Sequence, residues 1–534
     1  MHLLFSPDEV RQAEAPMLAA CEAAGHPDRL MRQAARGLAV HIARAVTARP
    51  ALGEPTVPAP ASLAVQVEPS AASGAGVLPR GGLLPGALLR GARVVGLIGP
   101  GNNGGDGLYA LAVLAGRGAR CVAVMVADRW HERAAAAARD AGVEIVLDHQ
   151  TALDQLAMAD VIVDAVLGIG AKGGMEVPGW DATAQRWAVA GEGLDALVVA
   201  ADCPSGLNTA TGAADELVPT ADMTVTFGAL KCGLVVGAAR AKTGDVYLVE
   251  IGLQPPQDAR MMPRLITPTE ADRELLSPRA CDHKYSRGVL GVVAGSPAYP
   301  GAAVLCVKAA ADIGAHDAGR GGTGMLVSAG RGAGGAAVVQ ALPEVVAIER
   351  GELAKAEWPA AARKVNAWVV GPGLGEEPED VEPALAVMRE SRGVVIVDAS
   401  ALAVWEPSGL HVLTPHAGEF VALAKRLGVQ TADPIEDPVT AARDLASATG
   451  AVVLLKGSAT VVAAPDGIAF VAASAAPTLA RAGSGDKLTG VVGAMLATHA
   501  ARAASSGGKL SPERIAHLTV AAAVLHGATY SIER

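Results

Sequence analysis

The sequence predicts an α/β fold, repeated as two doubly wound units, and three observations predict it. The chain has 534 residues, too long for one hydrophobic core, so it divides into domains. Short apolar runs of strand length alternate with helical stretches, which implies mostly parallel sheets with helices on both faces. Two different loops that combine glycines with one acid stand near opposite ends, each close after an apolar run. They are Gly99-Pro100-Gly101-Asn102-Asn103-Gly104-Gly105-Asp106-Gly107 and Ala482-Gly483-Ser484-Gly485-Asp486-Lys487-Leu488-Thr489-Gly490. The pair points to two active sites on one polypeptide that serve one pathway.

Residues 8–48 read as helical, through Glu9–Glu14, Leu30–Ala35 and Leu38–Val46. Residues 49–92 differ: seven prolines, from Pro50 to Pro85, punctuate an Ala/Gly/Ser/Val stretch with no period. That composition predicts a flexible insert. From Ala92 the strand–loop–helix pattern begins. Expected strands are Arg93–Ile98, Arg120–Ala127, Val143–Leu147, Val161–Val166, Ala196–Ala201, Met223–Phe227 and Val246–Ile251, with helices such as Gly107–Gly116 and Glu132–Ala141 between them. Gln254-Pro255-Pro256-Gln257-Asp258 and Met262-Pro263 break the series, so the boundary falls between 254 and 280. The expected domains are 1–255 and 275–534. The second series predicts strands at Val289–Ala294, Met325–Ser328, Val345–Ile348, Ala367–Val370, Val394–Val397, Val412–Leu413, Val452–Leu455 and Thr460–Ala463. From Gly485 onward the chain reads as helical.

Composition excludes several classes. The longest apolar stretches, such as Ala196–Ala201 and Ala451–Leu455, fall far short of the roughly 18 residues a membrane span needs. The N-terminus has no basic region and no cleavage site, so no signal peptide, no membrane and a cytoplasmic location are expected. A net charge of −10 argues against nucleic acid, which needs a basic face. A small phosphorylated ligand remains compatible, because backbone N–H groups and helix ends hold it without net positive charge. The six cysteines form no C-x-x-C pair and read as reduced thiols. Aromatic residues are 3%, so a cofactor would be held by backbone and polar groups rather than by stacked rings.

The first loop, Gly99-x-Gly101-x-x-Gly104, formally matches a dinucleotide fingerprint. Asp106 at the helix start argues against that reading, since a carboxylate there repels a pyrophosphate. Other strand ends supply more chemistry. Asp164 is followed by Gly168-Ile169-Gly170-Ala171-Lys172-Gly173-Gly174, and Asp202 by Cys203-Pro204-Ser205-Gly206. Ligands of doubly wound sheets bind at the carboxyl ends of strands, so Asn103, Asp164, Asp202 and Ser205 converge there. An Asn, an Asp and a Ser with backbone carbonyls suit a hard cation.

These motifs, with Lys231 and Gly244-Asp245-Val246, resemble NAD(P)H-hydrate epimerase. The resemblance implies a Rossmann-like three-layer domain and a potassium ion (K+) held by Asn103, Asp164 and Ser205. It implies that Asn102, Asn103, Gly104, Gly105, Asp106, Gly168, Ile169, Gly170, Ala171, Lys172, Gly173, Gly174 and Asp202 hold the hydrated nucleotide. The insert departs from the compact family pattern.

The second loop heads a helical region. Gly483 and Gly485 admit a phosphate close to the backbone, the helix N-terminus favours its charge, and Asp486 would act as base for a hydroxyl nucleophile. Lys456-Gly457-Ser458-Ala459-Thr460 on a strand-to-strand turn offers a cation, amides and hydroxyls to a nucleotide. Thr414-Pro415-His416-Ala417-Gly418-Glu419 and Gly371-Pro372-Gly373-Leu374-Gly375 follow two further strands. With Gly295-Ser296-x-x-Tyr299-x-Gly301-Ala302-Ala303, this set resembles ADP-dependent NAD(P)H-hydrate dehydratase, a ribokinase-like α/β family. The resemblance implies that Lys456, Gly457, Ser458, Ala459, Thr460 and Gly485 hold ADP or AMP, accompanied by magnesium (Mg2+). Ala302, Gly375, His416 and Asp486 would hold the hydrated dinucleotide. Two residues depart from the family pattern: Ser400 stands where a second Asp is common, and Lys487 where an apolar residue is usual.

The two resemblances together imply a bifunctional NAD(P)H-hydrate repair enzyme. Its partners would be NADHX, NADPHX and ADP, and a homo-oligomer is expected. Epimerisation of the R and S hydrates, with Asp202 or Asp164 moving the proton, would feed ADP-dependent dehydration of the S form, with Asp486 as base. The alternative is a small-molecule kinase of the ribokinase-like fold with a non-catalytic nucleotide-binding N-terminal half.

Overall fold

The computed structural model describes residues 2–48, 66–68, 89–170, 196–256, 258–313, 320–472 and 479–532. It divides into two compact units, Leu3–Ala259 and one built on Arg260–Arg534.

The first unit is a sheet of eight strands, all parallel. From one edge the order is Gln66–Glu68, Asp245–Val249, Met223–Phe227, Leu197–Ala201, Val161–Ala165, Arg93–Ile98, Arg120–Met125 and Glu144–Val146. The central strands are apolar throughout because both faces are covered. Alternation sorts their side chains. Val94 and Ile98 pack with Leu38 and Ile42 of the helix Arg29–Ala48 and Leu108 and Leu111 of the helix Asn102–Ala115. Val95 and Leu97 face the other way, against Ala152 and Leu156 of the helix His149–Ala157. This is the expected three-layer arrangement.

The second unit is also a layered α/β domain. Its strands run Arg264–Leu265, Ala469–Ala472, Thr460–Ala463, Val452–Leu455, His411–Leu413, Val394–Val397, Ala367–Val370, Val289–Val293, Met325–Gly330 and Val346–Glu349. Among these strands, the pairings of Thr460–Ala463 with its two neighbours are antiparallel and the others parallel. One face packs on the helices Pro300–Asp312, Ser484–Ser505 and Pro512–Ile532, through Cys306, Val492 and Val520. The helices Pro378–Glu390, Ala417–Leu427 and Pro438–Thr449 bury Val387, Phe420 and Leu445. A glycine at 291 has a packing reason: any Cβ there would stand 2.3 Å from the ring of Trp368 on the adjacent strand.

The structure corrects the sequence reading at several points. Gln66–Glu68, inside the proline-rich insert, forms an edge strand beside Asp245–Val249; the rest of residues 49–88 lies outside the described residues. The strands Arg264–Leu265 and Ala469–Ala472 were not expected. The helix of the first loop begins at Asn102, with Gly101 as its cap, so Asp106 lies in its second turn and does not cap it. Among the described residues no cysteine forms a disulfide, and no helix is long and apolar enough to cross a membrane.

Candidate active sites

In the first unit the predicted residues meet at the carboxyl ends of the central strands. Asp164, 1% exposed, ends the strand Val161–Ala165. Its Oδ1 accepts the Ser205 hydroxyl at 2.5 Å and its Oδ2 the Ser205 backbone N–H at 2.7 Å. Ser205 Oγ in turn accepts the Leu167 N–H at 2.8 Å, and Asn103 Nδ2 donates to Leu167 O at 2.9 Å. Asn103, Asp164 and Ser205 are thus knitted around one backbone turn. Asn103 Oδ1 is buried there without a hydrogen-bond partner. Burial pushes the Asp164 carboxyl above the ordinary range, and the Ser205 bonds offset only part of that. A buried orphan amide oxygen, a carboxylate, a hydroxyl and a carbonyl form an oxygen donor set of the kind a hard cation takes.

Asp202 follows the next strand, Leu197–Ala201. Its φ is +66°, a conformation it shares among the described non-glycine residues only with Ala399 at +49°. Left-handed backbone is costly for most residues and concentrates at functional sites. Lys231, 1% exposed, places its ammonium 2.5 Å from Asp202 Oδ1. It also donates to Phe227 O at 2.8 Å and meets Thr226 Oγ1 at 3.0 Å. Thr226 Oγ1 and the Phe227 N–H also donate to Asp202 Oδ1. All these bonds fall on Oδ1, which leaves Oδ2 for the pocket. The backbone around Lys231 is fixed by Phe5, which exchanges hydrogen bonds with Leu230 and Cys232.

Of these residues, Asn103, Leu167, Asp202, Phe227 and Lys231 line a cavity of about 550 Å3; Asp164 and Ser205 are not among its walls. Its walls include Asn102, Asn103, Asp106, Gly168–Gly170 and Asp202, as expected from the sequence. Gly104 and Gly105 are buried within the helix behind that wall. Ala171, Lys172, Gly173 and Gly174 lie outside the described residues. The structure adds wall residues that sequence reasoning missed, Glu14, Asp28, His131 and Arg133, and gives a place to Lys231, which the motifs named without a role. Arg133 holds Asp28 through Nε and Nη2 at 2.8 and 2.6 Å, and Tyr109 donates to the same carboxylate at 2.8 Å. Lys231 had a signal, a lysine close after an apolar strand; Glu14 had none, since it reads as one more polar residue of a helix.

In the second unit the helix Ser484–Ser505 starts after Gly483, whose φ is +83°, and carries Asp486 in its first turn. Lys456, at the end of the strand Val452–Leu455, lies across from it: a Cβ on Gly485 would stand 3.6 Å from Lys456 Nζ. Lys456 Nζ bonds Asp398 Oδ1 at 2.8 Å, and Glu419 Oε2 stands 3.9 Å away. Asp398, 2% exposed, also accepts the Thr414 hydroxyl at 2.8 Å. Burial, and next the Asp398 charge, raise the Asp486 carboxyl above its ordinary range, with Lys456 opposing.

His416 pairs with Lys456 through a backbone bridge. Its Nδ1 caps the helix Ala417–Leu427 by accepting from Gly418 and Glu419, so its outward Nε2 carries the proton. The structure therefore brings His416, Lys456, Gly485 and Asp486 into one cluster. Ala302 sits on the helix Pro300–Asp312, and Gly490 of the Asp486 helix packs directly on Cys306 of that helix. A Cβ on Gly373 would lie 2.5 Å from Ala302 Cβ, and one on Gly375 would lie 2.4 Å from Asp380 Oδ2. Gly457, Ser458 and Ala459 form the turn between the strands Val452–Leu455 and Thr460–Ala463. Asp398 and Glu419 are the charged members that the sequence-based site omitted.

Comparison with known proteins gives the same two units. A family model described as YjeF-related protein N-terminus matches residues 27–233, and one described as NAD(P)H-hydrate dehydratase matches residues 290–531. A bifunctional NAD(P)H-hydrate repair enzyme, Nnr, from Mycobacterium tuberculosis is 38% identical over 93% of this chain and 90% of its own length. Its Mycobacterium leprae counterpart is 38% identical over 76% of this chain and 79% of its own. A crystal structure of the ADP/ATP-dependent NAD(P)H-hydrate dehydratase of Bacillus subtilis, co-crystallised with ATP/Mg2+, is 28% identical. It covers 50% of this chain and 87% of its own, with a TM-score of 0.41. With both family models in order, and close to the full length of a curated relative matched, the chain belongs to the family of bifunctional NAD(P)H-hydrate repair enzymes.

Proposed function

We propose that this chain repairs hydrated nicotinamide cofactors. Its first unit interconverts the R and S epimers of NADHX and NADPHX, and its second dehydrates the S epimer at the expense of ADP. The observation that carries this reading is that one chain, matched along 93% of its length by a bifunctional relative, carries both family models in order.

In the first unit Asp202, rather than Asp164, is the proton-transfer residue. Both Asp164 oxygens are engaged by Ser205, whereas Asp202 lines the cavity and keeps Oδ2 open. Asn103 Oδ1, Asp164, Ser205 and the Leu167 carbonyl would hold a potassium ion. The orphaned Asn103 oxygen is the reason to place it there. Bound there, the ion would supply positive charge to the floor of a substrate pocket.

In the second unit Asp486 takes the proton of the ring hydroxyl. That oxygen attacks the terminal phosphorus of ADP, and AMP leaves. The ring nitrogen lone pair then expels the phosphorylated oxygen as phosphate. Loss of a proton from the neighbouring carbon restores the ring double bond of NAD(P)H. Hydroxide is a poor leaving group at neutral pH, which is why the step is coupled to phosphoryl transfer. Lys456, Gly485 and the turn 457–460 would hold the nucleotide phosphates, with magnesium arriving on the nucleotide.

The test is incubation of the protein with mixed NADHX epimers, with and without ADP, followed by chromatography of both epimers. Repair predicts epimer exchange without ADP and complete recovery of NADH with it. A kinase predicts a phosphorylated product that persists. Asp486→Ala should lower ADP-dependent recovery by at least about 100-fold; full activity in that variant would remove Asp486 from the mechanism.

A further inference from the structure

Beyond Asp202 and the Arg133-paired Asp28, the cavity of the first unit holds two carboxyl groups to which no chemical step has been given. Asp106, in the second turn of the helix Asn102–Ala115, lines the same wall, and its Oδ1 is shut off from solvent without a hydrogen-bond partner. Glu14, on the helix Pro7–Ala23, lines it too. Glu14, Asp106 and Asp202 thus share a pocket with one buried ammonium, that of Lys231, which among the described residues pairs with Asp202.

We propose that Asp106 is a second catalytic residue of epimerisation, the proton donor that works with Asp202 on the substrate ring. The proposal rests on the epimerase reading of this pocket. The chemistry requires such a partner. The hydrated carbon carries a hydroxyl and the ring nitrogen. Inverting it by ring opening needs a base to take the hydroxyl proton as the C=O forms, and an acid to protonate the nitrogen as the C–N bond breaks. The electron pair of that bond goes to the nitrogen, and the proton given by Asp106 stays there. Rotation about the adjacent single bond and closure on the other face reverse both transfers, so no oxidant, reductant or co-reactant is consumed.

The site separates the two roles by environment. Asp202 is charge-paired to Lys231 and takes two further hydrogen bonds on Oδ1. Burial, then the charges of Asp202 and Glu14, push the Asp106 carboxyl well above its ordinary range, and Lys231 opposes them only in part. A carboxyl whose burial favours its protonated form, across a cavity from one that is charge-paired to an ammonium, is the arrangement of an acid and a base. The other charged groups of the cavity, Asp28 and Arg133, are paired with each other, and His131 stands 3.8 Å from Asp28.

The test uses the full chain with mixed epimers and no ADP, following epimer exchange as a function of pH. Asp106→Asn keeps the size of the side chain but not its acidic proton. It should lower kcat for exchange by about 100-fold or more, leave KM within about threefold, and remove the alkaline limb of the pH profile. Glu14→Gln removes a negative charge that raises Asp106, so the alkaline limb should move to lower pH. Denaturant unfolding of the same preparations checks that the first unit of each variant is folded, and ADP-dependent dehydration of purified S epimer checks the second. An Asp106→Asn chain that exchanges epimers at the wild-type kcat, or that loses only KM, overturns the proposal. Absence of exchange in the wild-type chain instead overturns the epimerase reading itself.

Discussion

Lys231 carries a cost and a role at once. An ammonium 1% exposed survives only because Asp202, Thr226 and Phe227 satisfy it. Removing one member of such a pair leaves the other charge buried. Lys231→Ala should therefore destabilise the first unit by about 3–5 kcal/mol. Denaturant unfolding would read this as an early transition, while the transition of the second unit stays in place. At the second site a charge sets the working pH. Asp486 must be ionised to act as a base, and burial together with Asp398 raises its pKa. Dehydration should therefore fall away at a higher pH than an ordinary Asp would give. Asp398→Asn removes a raising charge, so the acid limb should shift to lower pH. A pH profile of ADP-dependent NADH recovery checks the sign. Neither departure from the family pattern removes Asp486, the base proposed above. Ser400 donates its hydroxyl to Leu374 O at 2.8 Å and so ties down the turn after the strand Ala367–Val370. The Lys487 charge bears on His526, where burial and that charge bring the imidazole pKa down to about 4.

At the level of elements, the second site depends on how closely two helices meet. The helix Ser484–Ser505 brings Asp486 to the site, and the helix Pro300–Asp312 brings Ala302. Gly490 lies where they cross: a Cβ there would sit 2.1 Å from Cys306 O. Backbone cannot yield as a side chain does, so Gly490→Ala must push the helices apart. The expected loss is about 1–3 kcal/mol of stability. Because the shift separates Ala302 from Asp486, the KM for the S hydrate should rise as well. Thermal unfolding and dehydratase kinetics on one preparation test both. Most elements of this kind were legible. Strands such as Arg93–Ile98 and Ala367–Val370 are unbroken apolar runs because both their faces are buried, and that pattern is written in the sequence. Ala469–Ala472 was missed although Asp466-Gly467, a turn signal, stands between it and Thr460–Ala463. Gln66–Glu68 had no such signal: an edge strand of three residues is held by its neighbour's hydrogen bonds, not by its composition. The sites divide in the same way. Residues at strand ends and in glycine loops announced themselves. Glu14 and Glu419 did not, because their neighbours are set by tertiary packing. Asp106 was legible as a site residue, but its place in the second turn was not.

At the scale of the whole molecule, the chain joins two sites whose reactions share an intermediate. Among the described residues, Asp202 and Lys231 fall in one compact unit and Asp398, Lys456 and Asp486 in the other. Covalent linkage is then not required for chemistry at either site. The S hydrate has only to leave one cavity and enter the other. Two inactivated chains should therefore complement each other. Asp202→Ala should dehydrate S-NADHX with ADP while the R epimer persists, apart from its uncatalysed exchange. Asp486→Ala should exchange epimers but form no NADH. An equimolar mixture of the two should consume both epimers completely, at a rate close to that of the slower site at half its concentration. Chromatography of the two epimers against time measures this directly. An intact chain that consumes the R epimer much faster than the mixture does at matched concentrations of each active site would mean that the S hydrate passes between sites of one chain without release. Proportional dilution separates the outcomes further: consumption by the mixture should slow linearly with enzyme concentration, as it does for two independent catalysts that share a free intermediate.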